Sequence, residues 1–308
     1  MSTVRHKPFR DLQIVDDFCP RTADLRAHFD DRFADPRSTA EGRFVWDFWH
    51  VPGQYTALRT PAWRYFPADL YRPLHEALVQ WGRKTLGCHD ISPPWLSCYI
   101  DGCGQELHGD LPHGPFAFVL SLTPWQQRQF TGGETLLLRD EVLDYWRDFA
   151  STRALEQGEI VRAIAPKFGR LTVFDPRLPH GVRPVRGTMD PRHGRLVLHG
   201  WFVQPRPFVQ GPVTTDELAG QLEALDEVVA AHLAGGLDVA GLLSVRLDVA
   251  TTGHVQAVTV LADTLRAPAE QTAERQRLRR AVVKQAGQLL FAPHRRTSQV
   301  TIPVVFSR

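Results

Sequence analysis

PWLSCYI (residues 94–100), PFAFVLSLT (115–123), GETLLLR (133–139), GEIVRAIAP (158–166), GRLTVFD (169–175) and GRLVLHGWF (194–202) set the class of fold. Each is a short run of β-prone residues, and turn residues such as Gly, Pro and Asp separate one run from the next. Runs of this length in close succession point to a sandwich or barrel rather than a parallel sheet. Upstream, Leu70, Leu74, Leu78 and Trp81 recur at helical spacing and predict a helix over 67–86; a second is expected over 23–33. Both helices are expected to cover one face of the sheet. The fold class read here is therefore mainly β with flanking α.

Working outward, the chain has 308 residues, which suggests two domains. Lys and Arg number 36 against 34 Asp and Glu, a balance of +2, so the basic excess that drives sequence-independent phosphate binding is missing and no nucleic-acid partner is expected. No apolar run approaches the roughly 20 residues a bilayer span needs, so no membrane association is expected either. The start, MSTVRHKPFRD, lacks the apolar stretch of a signal peptide. Cys19, Cys88, Cys98 and Cys103 form no CxxC pair and read as free thiols in a reducing compartment. A cytoplasmic location is the corresponding expectation.

Composition changes near residue 210, because all eight Trp precede residue 202. QPRPFVQGPVTT (204–215) reads as the break, and the segment over 206–238 as a linker with an amphipathic helix. Thr214 and Glu217 suit a capping box ahead of the stripe Leu218, Leu222, Leu225, Val229 and Leu233. LLSVRLDVA (242–250) and HVQAVTVLA (254–262) then alternate as strands. Leu278, Val282, Gln285 and Leu289 mark a second helix, and Val300, Ile302, Val304 and Phe306 a last strand. The order α-β-β-α-β is a small α+β module. Arg275, Arg277, Arg279, Arg280 and Lys284 read as the solvated face of its second helix.

The chemistry concentrates in QELHGDLPH (105–113). In a strand, His108 and Asp110 would share a face, offering an imidazole and a carboxylate to one divalent metal. HxD alone is weak, and a hydrogen-bonded turn histidine is the bland alternative. His180, in LPHGVRPV, can supply a third ligand. Two His and one carboxylate leave half an octahedron open, as in non-haem Fe(II) sites.

Around these residues lie Tyr99, nine positions before His108; the Gly132-Gly133-Glu134-Thr135 turn; and PKFGRLTVFDPRLPHGVRPVRG leading into RHGRLVLHGWF. This order resembles the prolyl-4-hydroxylase-like branch of the Fe(II)- and 2-oxoglutarate-dependent oxygenases. The resemblance implies a double-stranded β-helix (jelly roll) over residues 1–205. It also implies His108, Asp110 and His180 as catalytic iron ligands, with 2-oxoglutarate and O2 as co-substrates and ascorbate as a candidate reductant. Arg195 and Tyr99 are the expected partners of the far carboxylate of 2-oxoglutarate. Arg192 is the runner-up, and Arg183 and Arg186 are further candidates. Arg195, Val197, His199 and Trp201 are expected to share an inward strand face.

The reaction implied is hydroxylation of an unactivated carbon in a peptidyl residue, amino acid or natural-product intermediate, with release of succinate and CO2. Retention of Asp110, which related halogenases replace by a small residue, favours that outcome. Desaturation or cyclisation uses the same residues, and a non-catalytic metal- or peptide-binding jelly roll is the rival from another class. Ala117 and Gln105 depart from the family pattern. His113, His193 and His199 are at most secondary pocket groups. Trp46, Phe48, Trp49, Tyr55, Trp63 and Tyr65 either pack the sheet or wall a substrate groove. Residues 239–308 resemble the C-terminal domain of TonB-type proteins through Gly253, Phe291-Ala292-Pro293 and Phe306. That resemblance implies a sheet edge able to dock a peptide or protein, or to mediate homodimerisation.

Overall fold

The computed structural model describes residues 7–35, 45–110, 113–140, 142 and 160–306. Leu111 and Pro112 of the His-containing stretch, and Gly158 and Glu159 of the fourth β-run, lie outside the described residues. The chain divides into two compact units, Asp11–Val79 with Ile91–Val203, and Met1–Arg10 with Gln80–Asp90 and Gln204–Arg308.

Elements up to residue 205 are β1 (Leu12–Val15), α1 (Thr22–Ala34), β2 (Asp47–Val51), β3 (Tyr55–Pro61), α2 (Ala62–Tyr65), α3 (Ala68–Thr85), β4 (Cys88–Ile91), β5 (Trp95–Tyr99), β6 (Gly104–His108), β7 (Phe116–Ser121), β8 (Thr135–Leu138), β9 (Val161–Ile164), β10 (Leu171–Phe174), β11 (His180–Val182) and β12 (Arg195–Pro205). The large unit's sheet runs β1-β10-β7-β12-β5-β3-β6-β11-β8-β9, with β2 paired to β3. Its ladders are antiparallel. The sheet curls back on itself. Four strands separate β12 from β8 along the hydrogen-bonded path, yet Arg195 on β12 donates to the Thr135 hydroxyl on β8 at 3.1 Å. Phe174 on β10 likewise packs its ring 4.7 Å from that of His180 on β11. This is the jelly roll that the family resemblance implied, and it accords with the sandwich or barrel read from the β-runs.

Two apolar clusters fill the roll. One joins Ala57, Tyr99, Val182 and Val197; the other joins Ala117, Leu137, Ile164 and Phe174. Both draw residues from strands far apart in sequence, so sheet closure and core burial happen together. Each fully buried aliphatic side chain contributes roughly 1.5–3 kcal/mol. Helices α1 and α3 fall where the periodicity placed them, burying Leu25 and Phe29, and Leu70, Leu74 and Leu78.

The β2–β3 hairpin was not expected. Most of β2 is exposed, so it carries no in–out alternation to betray a strand. The aromatic set divides accordingly. Trp46 and Tyr65 pack with Phe29 at ring distances of 5.9 and 6.3 Å, while Phe48 and Trp63 are exposed. All four cysteines are buried and unpaired, as expected. Among the described residues no helix is long and apolar enough to cross a membrane.

The small unit contains β13 (Phe208–Gln210), α4 (Thr215–Ala234), β14 (Gly241–Val249), β15 (Val255–Asp263), α5 (Thr272–Ala286) and β16 (Ser298–Phe306), with sheet order β13-β16-β14-β15. The predicted α-β-β-α-β order is present. β13 is an addition, formed where the Pro-rich stretch was read as a break. Thr214 and Glu217 do form a capping box, satisfying two otherwise orphaned donors at the start of α4. Leu218 and Leu225 of α4 and Leu278 and Val282 of α5 share one core with Val245 and Leu247 of β14. β15 lies at the sheet edge, bridged near its end by Phe9, which donates to Leu261 O at 2.8 Å.

Candidate active site

β6 and β11 pair with His180 opposite His108 in register, which brings two imidazoles from distant sequence to a ring separation of 4.4 Å. Gly181 permits that approach: a Cβ there would lie 2.5 Å from Gln105 O and 2.9 Å from Glu106 O. His108 is the last residue of β6, so Asp110 lies beyond the strand. The same-strand geometry expected for HxD gives way to irregular backbone, anchored where Asp110 N donates to Pro176 O at 3.0 Å. The outcome is still convergence. Asp110 Oδ1 is 3.3 Å from His108 Nε2, and Oδ2 is 3.2 Å from His180 Nε2. One ligand atom from each residue lies within 4.8 Å of the others.

The hydrogen bonds on the far side of each ring decide what this cluster wants. His108 Nδ1 meets Glu106 O, and His180 Nδ1 meets Leu178 O, both at 2.9 Å. A carbonyl can only accept, so Nδ1 carries the proton and Nε2 presents its lone pair toward Asp110. Two lone pairs and a carboxylate aimed at one point repel unless a cation lies between them. Such carbonyl-oriented imidazoles are the usual support for metal ligands.

Without a cation between them the same groups share protons instead, an Nε2 that takes one up donating it to Asp110. At Asp110 burial opposes the anion, but hydrogen bonds from His108 and His180 outweigh it and hold the carboxyl well below its ordinary range. At His108 burial opposes the cation, yet Asp110 and the Glu106 carbonyl leave its affinity for a proton raised. His, Asp, His is a donor set suited to a divalent first-row metal with open positions, so Fe(II) fits these residues.

These residues border a cavity of about 710 Å³ that also takes in Tyr99, Thr135 and Arg195. Arg195 starts β12 opposite Tyr99 on β5, and its guanidinium lies 4.6 Å over the Tyr99 ring. Only 1% of Arg195 is exposed. Its Nη2 reaches Thr135, while Nε and Nη1 have no hydrogen-bond partner. Burial pushes its proton affinity down, offset in part by Tyr99 and Glu134. A buried guanidinium with two idle donors is costly, and a carboxylate entering the cavity would match its planar fork.

The other candidate arginines are placed differently. Arg192 pairs with Asp190 at 2.8 Å, Arg183 with Glu134 at 3.0 Å and Arg186 with Asp101 at 3.9 Å, and none borders the cavity. Arg195, Val197, His199 and Trp201 do share the inward face. His199 accepts or donates to Ser97 Oγ at 2.8 Å, and burial, then Arg195 and Arg59, push its pKa down to about 4. His113 borders the cavity with its ring 4.5 Å from Trp201, whereas His193 lies outside beside Asp190. Ala117 and Gln105 both line the cavity, and Gln105 Nε2 is 3.1 Å from His108 Nε2. Sequence reasoning passed over Thr135 and Ser97; Thr135 sits in the Gly-Gly-Glu-Thr turn already singled out, which was the available signal.

Residues 94–203 match the model of the 2OG-Fe(II) oxygenase superfamily. The chain carries a 2OG-Fe(II) oxygenase domain. The match contains all three converging metal-type ligands together with Arg195 and Tyr99, and it makes the protein an enzyme of the 2-oxoglutarate-dependent dioxygenase class.

Among solved structures, the oxygenase domain is similar to a Pseudomonas putida prolyl-4-hydroxylase, at 20% identity over 63% of this chain and 93% of that one, with a TM-score of 0.43. It is also similar to a Trichoplax adhaerens prolyl hydroxylase in complex with a peptide fragment of the hypoxia inducible factor oxygen degradation domain. That likeness is at 16% identity over 63% and 84% of the two chains, with a TM-score of 0.46. No curated protein sequence matches the chain. The family match ends before the small unit, so the expected likeness to the TonB C-terminal domain stands without support.

Proposed function

We propose that His108, Asp110 and His180 hold one Fe(II) and that Arg195 receives the far carboxylate of 2-oxoglutarate, with Tyr99 and Thr135 beside it. The reaction proposed is hydroxylation of an unactivated carbon. One observation carries this reading: a fully buried guanidinium with two unpartnered donors faces the same cavity as the His-Asp-His cluster. When bound, Fe(II) with 2-oxoglutarate and O2 supplies the oxidation and releases succinate and CO2.

The chain's own work is placement. The Glu106 and Leu178 carbonyls hold both imidazoles in the ligating tautomer. Asp110 balances the cation's charge. Thr135 and the Tyr99 ring fix the guanidinium at the cavity wall. Val182, Val197 and Phe174 wall the cavity with apolar surface and keep water from the reacting centre.

Retention of Asp110 supports hydroxylation over halogenation. The substrate belongs to the peptidyl-residue, amino-acid or natural-product classes, and product mass separates hydroxylation from desaturation or cyclisation. For the small unit, the β15 edge supports peptide or partner docking, and deleting residues 211–308 tests it through substrate affinity and oligomeric state.

Anaerobic reconstitution with Fe(II), followed by O2 and 2-oxoglutarate, tests the main reading. Succinate should form above the level of the Asp110→Ala variant, and 2-oxoglutarate should bind only when a divalent metal is present. Equal succinate from both proteins, together with metal-independent binding, would overturn it.

A further inference from the structure

A second arginine borders the cavity, and the oxygenase reading leaves it unused. Arg59 on β3 is opposite Ser97 on β5, whereas Arg195 on β12 is opposite Tyr99 on β5. The two arginines therefore occupy different rows of the roll. They are two strand spacings apart across the sheet and two residues apart along it, on the order of 10 Å between backbones. Their guanidiniums rest on different rings, that of Arg59 on Trp49 and Trp95 and that of Arg195 on Tyr99.

The setting of Arg59 is specific. Its guanidinium carbon lies 3.6 Å from the centroid of Trp49 on β2 and 4.4 Å from that of Trp95 on β5. Trp49 and Trp95 are the diagonal neighbours of Arg59 on its two flanking strands. Two indoles against the guanidinium strip water from it and hold its orientation by cation–π attraction. A guanidinium donates in its own plane, toward a ligand that approaches edge-on.

Arg59 Nε is buried without a hydrogen-bond partner. Asp47 is its register partner on β2, but among the described residues no carboxylate lies within ion-pair distance of Arg59. Once Asp110 faces a metal and Arg195 faces 2-oxoglutarate, Arg59 is a cavity cation without an ion-pair partner among the described residues, Asp47 acting on it only from a longer distance.

Resting on the oxygenase reading, we propose that Arg59 sets substrate specificity by receiving a carboxylate of the substrate, so that the substrate is a carboxylic acid. The planar fork meets a carboxylate with two parallel charge-assisted bonds, and its single charge balances one carboxylate but only half of a phosphate dianion. A neutral substrate would leave this cation unpaired each time it displaced water from the cavity.

The test uses the full chain loaded with Mn(II) and saturating 2-oxoglutarate. It is titrated calorimetrically with the N-acetyl derivatives of the twenty common amino acids as free acids, and with the matching primary amides; phenyl phosphate serves as the phosphate arm. At least one acid should bind about 10- to 100-fold more tightly than its amide. Arg59→Gln should erase that preference, and Arg59→Lys should restore only part of it.

Binding of 2-oxoglutarate should be unchanged in both variants. Equal binding of acids and amides by the wild-type protein, no acid binding at all, tighter binding of phenyl phosphate, or an acid preference that survives Arg59→Gln would each overturn the proposal. Failure of 2-oxoglutarate itself to bind would instead overturn the oxygenase reading, which keeps the two failures apart.

Discussion

Replacing Arg195 with Met should weaken 2-oxoglutarate binding and stabilise the ligand-free protein at the same time. Arg195 is 1% exposed, makes one hydrogen bond, to Thr135, and leaves Nε and Nη1 unpaired. Each buried donor without a partner costs about 1–3 kcal/mol, so the pair costs about 2–6. Met fills a similar volume without them. It forfeits the Thr135 bond, worth about 1 kcal/mol, and the Tyr99 contact, worth about 1–2. The balance is a stabilisation on the order of 1–2 kcal/mol, or a rise of roughly 2–6 °C in thermal midpoint.

Binding moves the other way. Two charge-assisted bonds at about 1.5–3 kcal/mol each imply at least a 100-fold loss of affinity. Calorimetry with Mn(II) present measures the affinity, and thermal melts without metal or ligand measure the stability. Arg192→Met is the control and should change neither. A variant that bound 2-oxoglutarate within threefold of wild type, or that melted several degrees lower, would refute the reasoning.

The pH dependence of stability should carry a signature of His199. Its pKa is pushed down to about 4 by burial, then by Arg195 and Arg59, so below about pH 6.5 the unfolded chain takes a proton that the folded one refuses. Stability should therefore fall as pH drops from about 6.5 to 4, by on the order of 3 kcal/mol. Denaturant titrations of His199→Asn should lose that slope, and an unchanged slope would assign it to another group. Gly132 has φ +76°, and a Cβ there would lie 1.9 Å from Pro184 O. Gly132→Ala should cost more than about 2 kcal/mol, measured by chemical denaturation. Leu278 is fully buried in the core of the small unit. Leu278→Ala should cost about 2–5 kcal/mol, seen as a shifted unfolding midpoint.

Much of this was legible in the chain because the signals are local. Short β-prone runs bounded by turn residues revealed β7, β10 and β12. The stripe of leucines revealed α3, and Thr214 with Glu217 revealed the cap of α4. The β2–β3 hairpin escaped because β2 is exposed over most of its length, and a strand that buries neither face writes no period into its sequence. Asp110 was expected on the strand beside His108, but the strand ends at His108, and the bond from Asp110 N to Pro176 O holds the residue in place from a distant segment.

Residue types and spacing nominated His108, Asp110 and His180, since ligand chemistry resides in the side chain itself, and the family resemblance carried by the order of the motifs added Tyr99 and Arg195. The burial of Arg195 against the ion pair of Arg192, the tautomers of both imidazoles and the seating of Arg59 between two indoles belong to the folded molecule alone. Each depends on which atoms are buried and which neighbours arrive from other strands. Desolvation and hydrogen-bond geometry arise only when distant segments meet.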